Sequence, residues 1–75
     1  MATVTQHIVS IRAERLYREV IAPGGVDFSK FEIDEILEVR AHAQLVATNG
    51  EYHERRKALA TLIEIEDVLF LRLQS

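Results

Sequence analysis

Two clusters of helix-breaking residues divide this 75-residue chain into three segments. The first cluster is Pro23-Gly24-Gly25, and the second is Thr48-Asn49-Gly50. Proline cannot continue a helix, whereas glycine and asparagine adopt backbone angles that other residues avoid. The remaining segments, roughly 5–22, 29–48 and 51–74, are each long enough to form one helix.

The middle segment begins with the sequence pattern of a capping box. Ser29 stands three residues before Glu32, and in this pattern the two side chains satisfy free N–H groups at a helix start. Phe28 before the cap and Ile33 after it have the spacing of a hydrophobic staple. We therefore predict a helix over 29–48 with Ser29 as its N-cap.

The other two segments carry apolar residues at helical spacing. In the first segment the stripe comprises Val9, Ala13, Leu16 and Val20. In the third segment, which is rich in good helix formers, it comprises Tyr52, Leu59, Leu62, Ile63, Leu69, Phe70 and Leu73. Alternating or β-branched residues also allow a strand at 2–11 or at 68–74. Length and continuity favour a helix at 68–74, and the clearly helical pattern from Arg12 onward favours one at 2–11.

These observations predict an all-α fold in which residues 1–75 form a single small domain. Three helices with short connections indicate an up-down-up arrangement, with 29–48 and 51–74 as an antiparallel hairpin. A domain this short buries only about 60% of its unfolded surface, so association often adds stability. We expect dimerisation to complete the fold.

The end of the third segment is the most apolar part of the chain. Val68, Leu69, Phe70, Leu71 and Leu73 point in nearly all directions around a helix, and such a helix needs cover on all sides. One interpretation is that the first helix packs across this end. The alternative, which we favour, is an interface, either self-complementary between two copies of the chain or open to another protein. Its predicted residues are Glu66, Leu69, Phe70 and Leu73.

Acidic residues are concentrated on one side of the second segment. They are Glu32, Asp34, Glu35 and Glu38. A solvated helix face is the ordinary interpretation of such a pattern. The density of charge also makes this side the best candidate for docking onto a basic surface of another macromolecule.

The only basic run suggests an alternative partner. Arg55, Arg56 and Lys57 are adjacent, and Arg40 could lie at the same end of the hairpin, so these side chains could contact phosphates of a nucleic acid. The whole chain nevertheless has a formal charge of −3, with 9 basic against 12 acidic residues. We therefore rank nucleic-acid binding below protein binding.

Several classes of function are disfavoured by composition. The chain has no cysteine, which excludes disulfides and thiolate chemistry and suggests a reducing, cytoplasmic location. It begins without a recognisable signal peptide and has no apolar run long enough to span a membrane. His42 and His53 flank the hairpin turn without forming a metal-binding motif. We expect no metal, no cofactor and no enzymatic activity.

The sequence thus predicts a non-enzymatic protein-interaction module. We expect a homodimeric regulator, inhibitor or adaptor that binds another protein through the acidic side of its second helix. The alternatives are a small nucleic-acid-binding regulator and a structural subunit of a larger assembly.

Overall fold

Three α-helices make up almost all of the chain in the computed structural model, as the sequence predicted. They are α1 (Ala2–Ile21), α2 (Ile33–Asn49) and α3 (Tyr52–Gln74), with a 3-10 turn at Phe28–Lys30 between α1 and α2. The structure describes the backbone of residues 2–25 and 27–74 and the side chains of 11–25 and 27–74. The all-α prediction is confirmed, and the ranges 2–11 and 68–74 are helical rather than extended.

The start of α2 differs from the prediction by several residues. The predicted cap, Ser29, lies inside the 3-10 turn, where its N–H donates to Asp27 Oδ1 at 3.1 Å. The N-cap of α2 is instead Glu32, whose N–H donates to Glu35 Oε1 at 2.8 Å. The capping box is therefore shifted by three residues, because Asp27 takes the amide of Ser29 and starts a turn of its own.

The predicted hydrophobic staple also moves with the cap. Ile33 is 40% exposed, whereas Phe28 is buried in the core beneath the 3-10 turn. The residues at the staple positions of the observed cap are Phe31 and Ile36, and both belong to the core.

Helix α1 runs in the same direction as α2, so the predicted up-down-up arrangement is wrong. Arg12 contacts Glu35 and Glu38 in the first half of α2, and Tyr17 contacts His42 further along it. Contacts that advance together along both helices indicate parallel directions. Helix α3 is antiparallel to α2, as predicted.

The connection between α1 and α2 explains this difference. Residues 22–32 can reach roughly 36 Å when extended, which exceeds the length of about 25 Å of α2. Gly24 adopts a left-handed φ of 73° at the turn that begins the connection. Phe28 and Phe31 are buried, and their rings meet edge to face at 5.8 Å. The connection thus crosses the molecule as part of the core instead of forming a tight turn.

Helix α2 lies between the other two helices and supplies the centre of the core. Its residues Ile36, Val39 and Ala43 are fully buried. They meet residues from the other helices and from the connection, namely Leu16, Tyr17, Phe28, Phe31, Ala58, Ile65 and Leu69. The predicted stripe of α1 agrees with this core, because Ala13 and Leu16 are buried and Val20 packs against it. Val9 lies outside the described side chains.

The buried side of α3 shares only Leu69 with the predicted stripe. Ala58, Thr61, Ile65 and Leu69 face the core. Most of the large apolar residues of the predicted stripe lie on the surface instead, and its first residue, Tyr52, is more than half exposed. None of the described helices combines the length and apolar character needed to cross a membrane.

Candidate protein-interaction surface

A row of large apolar side chains follows the outer side of α3. We call these residues the α3 stripe: Tyr52, Leu59, Ile63, Phe70 and Leu73. Each is more than half exposed. Together with Arg56 and Glu66 they recur at alternating intervals of four and three residues, which is the spacing of a coiled-coil seam.

Helix α2 extends this row on one side. Ala47 of α2 lines a surface groove with Tyr52 and Leu59, which places this edge of α2 beside the α3 stripe. Further along the same edge, Arg40 Nη1 lies 3.4 Å from Glu66 Oε1. Ile33 and Leu37 follow on α2 at helical spacing from Arg40, and both are about 40% exposed. We call Ile33, Leu37 and the α3 stripe the apolar face.

The apolar face is large for a chain of this size. Its seven side chains have exposed fractions between 40% and 73%. At about 200 Å² for each fully exposed side chain, these fractions add to roughly 800 Å². A standard-size protein interface buries about 800 Å² per partner, so the face is large enough to form one.

The structure separates the four residues predicted for a self-interface. Phe70, Leu73 and Glu66 lie on the surface, at or within the apolar face. Leu69 does not fit this prediction, because it is 6% exposed and packs in the core of its own chain. Most residues of the apolar face were not predicted to belong to an interface, namely Ile33, Leu37, Tyr52, Leu59 and Ile63. Their continued four-and-three spacing was the available signal.

Glu66 and Arg40 form an ion pair across the hairpin. A hairpin that turns at Asn49-Gly50 places Arg40 opposite residues near Ala58 and Glu66 opposite residues near Glu32. Their 3.4 Å contact shows that these long side chains reach one another across the hairpin. Arg40 therefore does not join the basic run near the turn, and a nucleic-acid contact would rest on Arg55, Arg56 and Lys57 alone, all of which are exposed.

The predicted acidic docking side is largely occupied within the chain. Arg12 Nε lies 3.2 Å from Glu38 Oε2, and Arg12 Nη2 lies 3.6 Å from Glu35 Oε2. Glu35 also accepts the N–H of Glu32, and Asp34 Oδ1 accepts the N–H of Glu35 at 3.0 Å. Helix α1 thus packs on the side of α2 that was expected to be solvated. Only Glu32 and Asp34 keep exposed side chains.

A small cavity lies between the C-terminal end of α1 and the hairpin turn. Its volume is about 220 Å³, and its lining includes Tyr17, His42, Glu54 and Lys57. The Tyr17 hydroxyl is buried without a hydrogen-bond partner among the described residues. Burial, and then the Glu54 carboxylate, raise the pKa of this phenol above its usual value of 10.0.

The two histidines that flank the hairpin turn contact different tyrosines. The ring of His42 lies 5.0 Å from that of Tyr17, and the ring of His53 lies 5.6 Å from that of Tyr52. Within the described part of the chain, no three side chains of the metal-binding types converge.

Comparison with known proteins identifies no relatives of this chain. It matches no protein-family model, no curated protein and no solved structure. The apolar face is therefore interpreted from its own residues.

Proposed function

We propose that this chain is a non-enzymatic helical interaction module that forms a homodimer through the apolar face. The observation that carries this proposal is the exposure of seven large apolar side chains on α2 and α3, each of them at least 40% exposed. An exposed apolar surface can bind a protein but supplies no catalytic group. The proposed role is therefore that of a regulator, inhibitor or adaptor that binds another macromolecule.

A second copy of the chain is the proposed occupant of this face for two reasons. The area of roughly 800 Å² equals one side of a standard interface, and small domains without disulfides or metals gain stability by association. The face also carries both an exposed cation, Arg56, and an exposed anion, Glu66, so that two copies can complement one another.

The surface for another macromolecule is smaller than the sequence suggested. Glu35 and Glu38 already pair with Arg12. Recognition of a basic partner by α2 would rest on Glu32 and Asp34, whose side chains remain exposed at its first turn. We therefore propose self-association as the primary activity and target binding as a consequence of the dimer.

Light scattering over a dilution series tests the dimer. The wild-type chain is expected to show twice its mass of 8.6 kDa at high concentration. Ile63→Glu changes the centre of the apolar face, where Ile63 is 68% exposed and lies outside the hydrophobic core. Fully burying an Ile side chain contributes about 1.5–3 kcal/mol, so losing the 68% that is exposed in each chain removes roughly 2–4 kcal/mol of gross stabilisation per dimer. We expect a folded monomer.

Ile11→Glu is the matched control. Ile11 is 56% exposed on α1, which packs on the other side of α2, and the chemical change is the same. We expect this variant to stay dimeric with an unchanged circular dichroism spectrum. A monomeric wild-type chain, or a dimer that survives Ile63→Glu, would contradict the proposal.

A further inference from the structure

Two charged residues, Arg56 and Glu66, interrupt the α3 stripe at symmetric places along the helix. Arg56 lies four residues after Tyr52, and Glu66 lies four residues before Phe70. Between these charges the stripe contains only Leu59 and Ile63. The order along the helix is therefore aromatic, cation, aliphatic, aliphatic, anion, aromatic.

Such an order matches itself when two copies run in opposite directions. When the two-fold axis passes at the level of residue 61 along each helix, Tyr52 faces Phe70 of the second copy and Leu59 faces its Ile63. Arg56 then faces Glu66 of the second copy. Alternate seam positions meet in this way when two helices pack antiparallel. We propose, on the basis of the homodimer proposed above, that α3 pairs with α3 of a second copy in this antiparallel register.

A parallel arrangement is disfavoured by the same charges. Each seam residue would face its own equivalent, so that Arg56 would meet Arg56 and Glu66 would meet Glu66. Like charges that lie opposite one another in an interface are costly. The antiparallel register instead creates two pairs of opposite charge and leaves every apolar residue between 52 and 70 with an apolar neighbour.

Both charged groups are available for this pairing. The guanidinium of Arg56 lies 5.8 Å above the ring of Tyr52, and no carboxylate of the described residues pairs with it. Glu66 uses Oε1 to contact Arg40, and its side chain is 63% exposed. A carboxylate accepts several hydrogen bonds. The second copy's Arg56 can therefore join Arg40 around Glu66.

Cysteine crosslinking tests the register, because the chain has no cysteine of its own. One preparation carries Tyr52→Cys and another carries Phe70→Cys; the two are mixed and oxidised mildly. We expect the disulfide-linked dimer to contain one chain of each variant. Two copies of residue 52 would lie about 27 Å apart in the antiparallel dimer, since 18 residues separate 52 from 70 along the helix. A disulfide needs Cα atoms within about 7 Å.

The other outcomes separate this inference from the proposed function. Crosslinks within each variant alone would support a dimer and overturn the antiparallel register. No crosslink above that of the control mixture, Ile11→Cys with Phe70→Cys, also overturns the register if light scattering finds a dimer. If light scattering finds a monomer, both the register and the proposed function are wrong.

Charge reversal provides an independent measurement. Arg56→Glu places a carboxylate opposite Glu66 of the second copy at both ends of the antiparallel seam. We expect the dimer dissociation constant to rise by about tenfold or more. Adding Glu66→Arg to the same chain restores opposite charges and is expected to recover most of that loss. In a parallel dimer the single reversal only exchanges one like-charge pair for another. An unchanged dissociation constant in the single variant would overturn the antiparallel register.

Discussion

Arg72 is the residue whose replacement should reveal most about how this fold is held together. It lies in the last turn of α3 and reaches back to the connection between α1 and α2. Its Nη2 donates to the carbonyl oxygen of Phe28 at 2.6 Å, and its Nη1 donates to that of Phe31. The side chain therefore fastens the buried aromatic pair to the end of the hairpin.

The expected cost of Arg72→Met follows from these two contacts. Methionine keeps most of the aliphatic length and removes both donors. A hydrogen bond that involves a charged group contributes about 1.5–3 kcal/mol. Because Arg72 is partly exposed, we take the lower part of that range for each of the two bonds and expect a loss of roughly 3–4 kcal/mol. A core of this size supplies about 3–5 kcal/mol, so the variant should be close to unfolding at room temperature.

Urea denaturation followed by circular dichroism measures this loss. Arg15→Met is the matched control, because Arg15 is exposed on α1 and forms no ion pair with any described residue. We expect the control to unfold at the wild-type urea concentration and Arg72→Met to unfold at a much lower one. A free-energy difference below about 0.5 kcal/mol between the two variants would refute this account of the connection.

Two further predictions concern the end of α1 and the buried phenol. Gly25→Ala would place a methyl group within 3.0 Å of three backbone carbonyls, including that of Val20. We expect it to lose about 1–3 kcal/mol in urea denaturation, and Gly24→Asn, at a left-handed position that asparagine tolerates, to lose less. In Tyr52→Phe, where Tyr17 is the only tyrosine, the phenolate absorbance should titrate above pH 10, since burial raises that pKa. The folded state then holds its proton more tightly than the unfolded state, so stability should fall as pH rises above about 10, and a midpoint at or below 10 in the folded protein would contradict this.

The helices and the hairpin could be predicted from the sequence, but the helix start could not be fixed. The observed bounds of Ile33–Asn49 and Tyr52–Gln74 lie close to the predicted 29–48 and 51–74. Two acidic residues, Glu32 and Glu35, both stand three residues after a possible cap. Local pattern favours Ser29 as the cap, because serine is a preferred N-cap residue and glutamate is not, whereas the observed start follows from Asp27 accepting the N–H of Ser29.

The direction of α1 could not be predicted for a related reason. A proline and two glycines indicate a break but not how far the following residues travel. The path of the connection across the molecule depends on the burial of Phe28 and Phe31 and on the hydrogen bonds that Arg72 donates to their carbonyl oxygens. These are contacts between residues distant in sequence.

The apolar face was missed because α3 carries two stripes at helical spacing. Small residues, Ala43 of α2 and Ala58 of α3, are fully buried where the two helices pack. Small side chains permit close packing, so the stripe that includes Ala58 and Thr61 faces the core. The larger residues, such as Leu59 and Ile63, remain outside. A prediction that assigns the largest residues to the core therefore selects the wrong side of the helix.

The concentration dependence of thermal unfolding tests the central claim, self-association through the apolar face, most directly. If folded chains associate, dilution shifts the equilibrium toward unfolded monomers, so the Tm must fall as the protein is diluted. We predict a Tm that falls steadily over a hundredfold dilution in the wild-type chain and in Ile11→Glu. In Ile63→Glu we predict a Tm that does not depend on concentration. A wild-type Tm that stays constant over the whole series would contradict the claim.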